Sequence, residues 1–157
     1  MTFGESYPTP GSYGAPTPVQ PGELMPRFFA RFIDGLIVGA LAFFGAFSLG
    51  SLSDIMVTGL FSGLGTFVYF VLFEVVAGAT PGKMLLGMKV RGPHGMAKPD
   101  VKQSAIRNSF TLITIIPYIG GLLAFIAYIY IAITIKDSPC KQGRHDELAG
   151  GTQVVKS

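Results

Sequence analysis

The chain has 157 residues, 49% hydrophobic and 13% charged, with a mean hydropathy of +0.49. A soluble domain carries about 25% charged residues, so an ordinary water-soluble protein is excluded. A surplus of +3 is too small to read nucleic-acid binding from charge, and the length fits one domain of ~100–200 residues.

Residues 1–26 hold six of the eleven prolines and four glycines, with Glu5 and Glu23 as their only charges. Such a segment cannot bury enough apolar surface to offset its ordering entropy, and a disordered cytoplasmic tail is expected. It lacks the basic start and short apolar run of a signal peptide. Its Tyr-Pro and Thr-Pro steps could serve as a docking ligand.

Three stretches then lack Asp, Glu, Lys and Arg altogether: Gly35–Ser53, Ile55–Phe73 and Asn108–Ile135. A hydrocarbon core of ~30 Å takes about 20 apolar helical residues. The expected fold is an all-α membrane protein, a small polytopic helical bundle of about three apolar segments within residues 27–157. The spans are placed at about 27–50, 55–77 and 108–135. Only Ser51–Asp54 joins the first two, which makes a tight antiparallel hairpin. Without tryptophan, the interfacial aromatics are Phe28, Phe29, Tyr118, Tyr128 and Tyr130.

The loop 78–107 carries Lys83, Lys89, Arg91, Lys98, Lys102 and Arg107 against Asp100, while the connection at Ser51–Asp54 has no basic residue. By the positive-inside rule this loop and the N-terminus, with Arg27 and Arg31, face the cytoplasm. The third stretch is broken at Pro117 and Gly120-Gly121. It is either one kinked span or a helical hairpin that starts as early as Val101 and returns the tail to the cytoplasm. Met88–Val90 and Thr152–Val155 read as short strands, and Gly92–Gly95 reads as a turn. Isolated strands need partners, so pairing between these two favours the hairpin and a short cytoplasmic β-like loop and tail. The lone Cys140 excludes a disulfide framework and reads as an incidental thiol, with palmitoylation the alternative.

Arg27, Arg31 and Asp34 are spaced four and three apart, within about 60° of one helix face. Arg31 and Asp34 are in i,i+3 reach, and Gly35 and Gly39 beside them permit close helix approach. Along the second span Gly59, Gly63, Thr66, Phe70 and Glu74 share one face. The expectation is that the two glycine stripes pack together and bring Glu74 against Arg31. Intramembrane ionisable residues cost ~2.5–3.5 kcal/mol on insertion scales and mark either a structural ion-pair network or an ion path. In a chain with about three spans the structural reading is favoured.

Gly78–Met84 lacks the spacing and the Ser/Thr of a phosphate loop, and is read as a helix-ending turn with Lys83 at the membrane surface. Two histidines, His94 and His145, are too few for a metal site. No catalytic constellation, cofactor site or metal site is read, and the chain is expected not to be an enzyme.

Three ordered motifs carry a family resemblance. Arg31 and Asp34 open the first span, Thr80-Pro81-Gly82-Lys83-Met84-Leu85-Leu86-Gly87 follows the second, and Arg144-His145-Asp146-Glu147-Leu148-Ala149-Gly150-Gly151-Thr152 lies near the end. Together, over about residues 25–156, the chain resembles the RDD family of membrane proteins, named for one arginine and two aspartates. By position the arginine is Arg31, with Arg27 the other candidate, and the aspartates are Asp34 and Asp146. Gly82, Lys83 and Arg144 match further motif positions. The extra glycine at Gly150-Gly151 departs from the family's usual Ala-Gly-Thr. The resemblance implies either membrane-complex assembly or cation/proton antiport in a bacterial inner membrane. The Pro/Gly-rich tail also resembles actinobacterial proline-rich antigen-type proteins, which implies an accessory subunit of the respiratory cytochrome bcc–aa3 supercomplex. Expected partners are the lipid bilayer and other integral membrane subunits, with a homo-oligomer if the protein transports. In the transport alternative Asp34 and Glu74 carry the ions. In a third reading the protein is a membrane-anchored adaptor that docks through its Pro-rich tail.

Overall fold

The computed structural model describes residues 19–50 and 53–157; the docking-ligand reading of the first eighteen residues lies outside them. Helix α1 runs over Leu24–Ser48, and its Pro26 sits in the first turn, where no intrahelical N–H is lost. Helix α2 covers Ile55–Ala77 and starts at Asp54, whose side chain accepts from the N–H groups of Met56 and Val57. It ends at Gly78, and the short helix α3 follows at Pro81–Leu85. Strand β1 (Met88–Arg91) leads through a turn to the amphipathic helix α4 (Val101–Asn108), which opens with an Asp100/Gln103 capping box. Helix α5 covers Gly120–Asp137, α6 covers Arg144–Leu148 and β2 covers Gln153–Lys156.

Three of these helices, α1, α2 and α5, are long and apolar enough to cross a membrane. Most of their large side chains point outward, as they must when the solvent is hydrocarbon. Phe28, Phe29, Tyr118, Tyr128 and Tyr130 are all among the exposed residues.

The third segment resolves as the hairpin. After α4 the chain tightens into a 3-10 helix over Ser109–Ile115, turns at Pro117 and Tyr118, and returns as α5. The descending arm lies against α2. A methyl on Gly63 would stand 2.5 Å from Ile115 Cγ1 and 2.7 Å from Thr114 Oγ1, and Gly59 faces the Ile115 carbonyl. The expected packing of two glycine stripes is therefore corrected. Gly59 and Gly63 admit the 3-10 arm, while the positions outside Gly35 and Gly39 stay open. The expected third span of 108–135 is likewise corrected: within it only Gly120–Asp137 is a helix long enough to span, and the arm before it is the short 3-10 helix over Ser109–Ile115.

Because the hairpin returns, the tail meets the loop after α2. Strands β1 and β2 pair antiparallel, with Met88 opposite Lys156 and Arg91 opposite Gln153. Residues 20–22, assigned from composition to a disordered tail, instead run along the other edge of β2. Gly22 donates to the Val154 carbonyl, and Lys156 N–H donates to Gln20. Met88, Val90, Val154 and Ala30 form a small buried core beneath this sheet. The start of α1, the loop after α2 and the C-terminal tail thus share one end of the bundle. Cys140 is exposed just beyond α5.

Candidate functional site

The end of the bundle that carries the sheet also gathers the charges of the spans. Asp34 is fully buried on α1. Its Oδ1 accepts from the Tyr69 hydroxyl at 3.0 Å and the Gly82 N–H at 2.8 Å, and its Oδ2 accepts from the Thr80 hydroxyl at 2.5 Å. The turn entering α3 can reach the carboxylate because residue 82 has no side chain. A Cβ there would overlap the Ala30 carbonyl oxygen and press within 3.0 Å of the carboxylate. The expected Arg31–Asp34 pairing is thereby corrected. Arg31 turns away, donates to Asn108 Oδ1 at 2.8 Å and lies 3.7 Å over the Phe70 ring.

Glu74 on α2 is also fully buried. Its Oε1 accepts from Lys83 Nζ at 2.5 Å, with Arg107 Nη1 at 3.9 Å. Its Oε2 accepts from Ser104 and Asn108, each at 2.9 Å. The expected direct Glu74–Arg31 contact is corrected to one relayed through Asn108. The surface position expected for Lys83 is corrected too, since α3 folds the chain back under α2 and leaves that side chain 3% exposed. Burial pulls the Lys83 ammonium down to about 8, with Arg107 and Arg31 adding to the effect and Glu74 opposing it.

Asp146 on α6 is the third buried carboxylate. Arg107 Nε lies 3.1 Å from its Oδ1 and Arg27 Nη1 lies 3.4 Å from its Oδ2. The Gly143 N–H and the Thr152 hydroxyl also donate to it, each at 3.2 Å. Thr152 reaches Asp146 because Gly150 and Gly151 both take positive φ, at 88° and 92°. The extra glycine thus supplies a second left-handed position in the return turn. Burial raises the Asp146 carboxyl, but Arg107, with Arg27 in support, outweighs it and holds the group below its ordinary range. Arg27 further donates to the carbonyls of Gly22 and Val154, tying α1 to the sheet. Arg144 lies outside the cluster, in an exposed pair with Glu147.

Residues 21–150 match the RDD family. The chain belongs to the RDD family. No curated protein and no solved structure matches it. In this RDD domain the aspartates at positions 34 and 146 anchor the two ends of the ionic cluster, and Arg27, rather than Arg31, contacts Asp146.

Several members of the RDD cluster escaped sequence reasoning. Tyr69 and Thr80 bind Asp34, while Ser104, Arg107 and Asn108 bind the other carboxylates. A signal existed for the last three. Positions 104, 107 and 108 follow the i, i+3, i+4 rule, so a helix starting at Asp100 presents them on one face.

His145 gives the RDD tail a pH dependence. Burial lowers its imidazole to about 3, and the cations Arg107, Arg31 and Lys83 add to this, whereas Asp146 at 3.6 Å opposes it. The unfolded chain binds a proton near pH 6.5 while the folded one does not, so stability falls as the pH drops through that window. Acidification from pH 8 to pH 5 is expected to cost the docked tail about 2 kcal/mol. Hydrogen exchange of the β1–β2 amides reads this, and His145→Gln should flatten the profile. Asp146 adds its own loss only below its ordinary carboxylate range.

Proposed function

We propose that this RDD protein is a non-enzymatic accessory or assembly subunit of a membrane complex, and not an ion carrier. The observation that carries the reading is the state of the intramembrane carboxylates. All four oxygens of Asp34 and Glu74 accept hydrogen bonds from fixed donors: Tyr69, Thr80, Gly82, Lys83, Ser104 and Asn108. A carrier carboxylate must exchange its partner for an ion, whereas these hold four segments of the chain together, α1, α2, α3 and α4. A lateral groove of about 440 Å³ at the other end of the bundle agrees with docking. It is lined by Gly39, Ala42 and Ala46 of α1 and Ser62 of α2, small residues that let another helix approach, and by Pro117 and Tyr118 of the hairpin turn.

The charge asymmetry of the loops supports a cytoplasmic placement of the N-terminus, the loop after α2 and the tail, in a bacterial plasma membrane. The respiratory cytochrome bcc–aa3 supercomplex implied by the sequence resemblance is the first partner to look for. The test is purification in mild detergent after crosslinking. Co-purifying integral membrane subunits are expected. A homo-oligomer alone, with everted-vesicle cation/proton exchange lost in Asp34→Asn and Glu74→Gln, overturns the reading in favour of an antiporter.

A further inference from the structure

Beneath the sheet, α1 and α5 stand apart and leave a cavity of about 450 Å³ that opens sideways between them. Four cations line it, Arg27, Arg31, Lys83 and Arg107, whereas no carboxylate does. Glu74 and Asp146, the carboxylates paired with Lys83, Arg107 and Arg27, are absent from its lining, and Asp34 is held by Tyr69, Thr80 and Gly82 instead of a cation. The cations also exceed the three carboxylates by one.

Two guanidinium donors there face no near acceptor, while Arg107 Nε has Asp146 Oδ1 at 3.1 Å and His145 Nδ1 is a further buried polar atom without a hydrogen bond. Arg31 Nη1 and Arg107 Nη1 are buried and make no hydrogen bond, and the Arg107 side chain is only 2% exposed, with its nearest Glu74 oxygen at 3.9 Å. A buried cationic N–H without an acceptor is costly; a doubly accepting anion would satisfy both. Apart from His145 and Tyr128, the rest of the wall is apolar. Phe28 and Phe32 of α1 and Phe125 and Ile129 of α5 flank the opening, each about half exposed on the outer faces of the spans.

We propose that this cavity holds the phosphate headgroup of an anionic phospholipid, its oxygens on Arg31 and Arg107 and its acyl chains lying in the seam between α1 and α5. Guanidinium groups match phosphate geometry, and basic pockets between spans are the sites where such headgroups bind. A free phosphate has the same headgroup chemistry but makes no use of the apolar mouth, which an amphiphile fills.

The chain has no tryptophan, so Ile129→Trp places a single fluorescent reporter at the mouth. Phe44→Trp, on an exposed part of α1 near its other end, serves as the control. Both full-length variants are reconstituted in vesicles that contain brominated phosphatidylglycerol or brominated phosphatidylcholine. Preferential quenching by the phosphatidylglycerol is expected at position 129 and absent at position 44. Adding Arg31→Gln should weaken the preference roughly tenfold, the equivalent of one charge-assisted hydrogen bond, with the control position unchanged. Equal quenching by both lipids at position 129 overturns the proposal. So does loss of the preference on adding millimolar inorganic phosphate, which marks a site for the free anion. A reporter that neither lipid reaches means that protein covers the mouth, and is equally fatal.

Discussion

Glu74→Gln is expected to destabilise the folded chain by about 3–5 kcal/mol, the range found when one member of a buried ion pair is removed. The change keeps the shape of the side chain and removes only its charge. Lys83 would then be left as a buried cation, 2% exposed, without the carboxylate it faces, and Arg107 would keep Asp146 alone. The new amide also carries a donor towards either Lys83 or the Ser104 and Asn108 donors, so one oxygen's worth of bonding becomes repulsive. Thermal unfolding in detergent measures the loss. Lys83→Met in the same background removes one stranded cation, and it should restore at least half of the stability. A loss below about 1 kcal/mol would mean that the buried charge is not what holds α2, α3 and α4 together.

The second large effect is expected at Asp146. Asp146→Asn removes the counter-charge of Arg27 and the nearer of the two that Arg107 has, leaving Arg107 only Glu74 Oε1 at 3.9 Å. The expected cost is again about 3–5 kcal/mol, but here it falls on the tail. Trypsin should cut at Lys141 and Arg144, and the amides of β1 and β2 should exchange with solvent while the spans stay protected. The neighbouring Glu147 provides the control. Its bond to Arg144 lies in water, with the two side chains 60% and 47% exposed, so Glu147→Gln should change stability by no more than ~1 kcal/mol.

The parts of the fold that were legible from residues are those set by the solvent or by local alternation. Charge-free runs such as Ile55–Phe73 have to span, and Met88-Lys89-Val90 has to find a strand partner. The hairpin was one of two open readings, and the pairing of Val90 with Val154 decides it. Ion-pair partners were harder to read because helix periodicity describes only one element at a time. Asp34 and Arg31 share a face, yet the donors to Asp34 come from α2, 35 residues later, and from a turn 46–48 residues later. Lys83 lies nine residues beyond Glu74, and only the reversal after Gly78 makes them neighbours. The glycines misled in a similar way. Gly59 and Gly63 announce a close approach, but spacing alone does not say that the visitor is a 3-10 arm rather than α1.

The contact between Arg27 and Asp146 joins residues 119 positions apart. At the ~5–20 residues per second of synthesis, roughly 6–24 s separate their appearance. Throughout that interval the first span sits in the translocon or bilayer with a guanidinium whose carboxylate does not yet exist. The Asp34 carboxylate waits a shorter time, until Gly82 arrives. Insertion of α1 therefore precedes its neutralisation, and the arrival of the last dozen residues is the event that completes it. A chain that stops short of Asp146 would hold every spanning segment and still present a bare cation at the membrane. Docking of α6 and β2 is therefore the folding step that gives Arg27 its counter-charge.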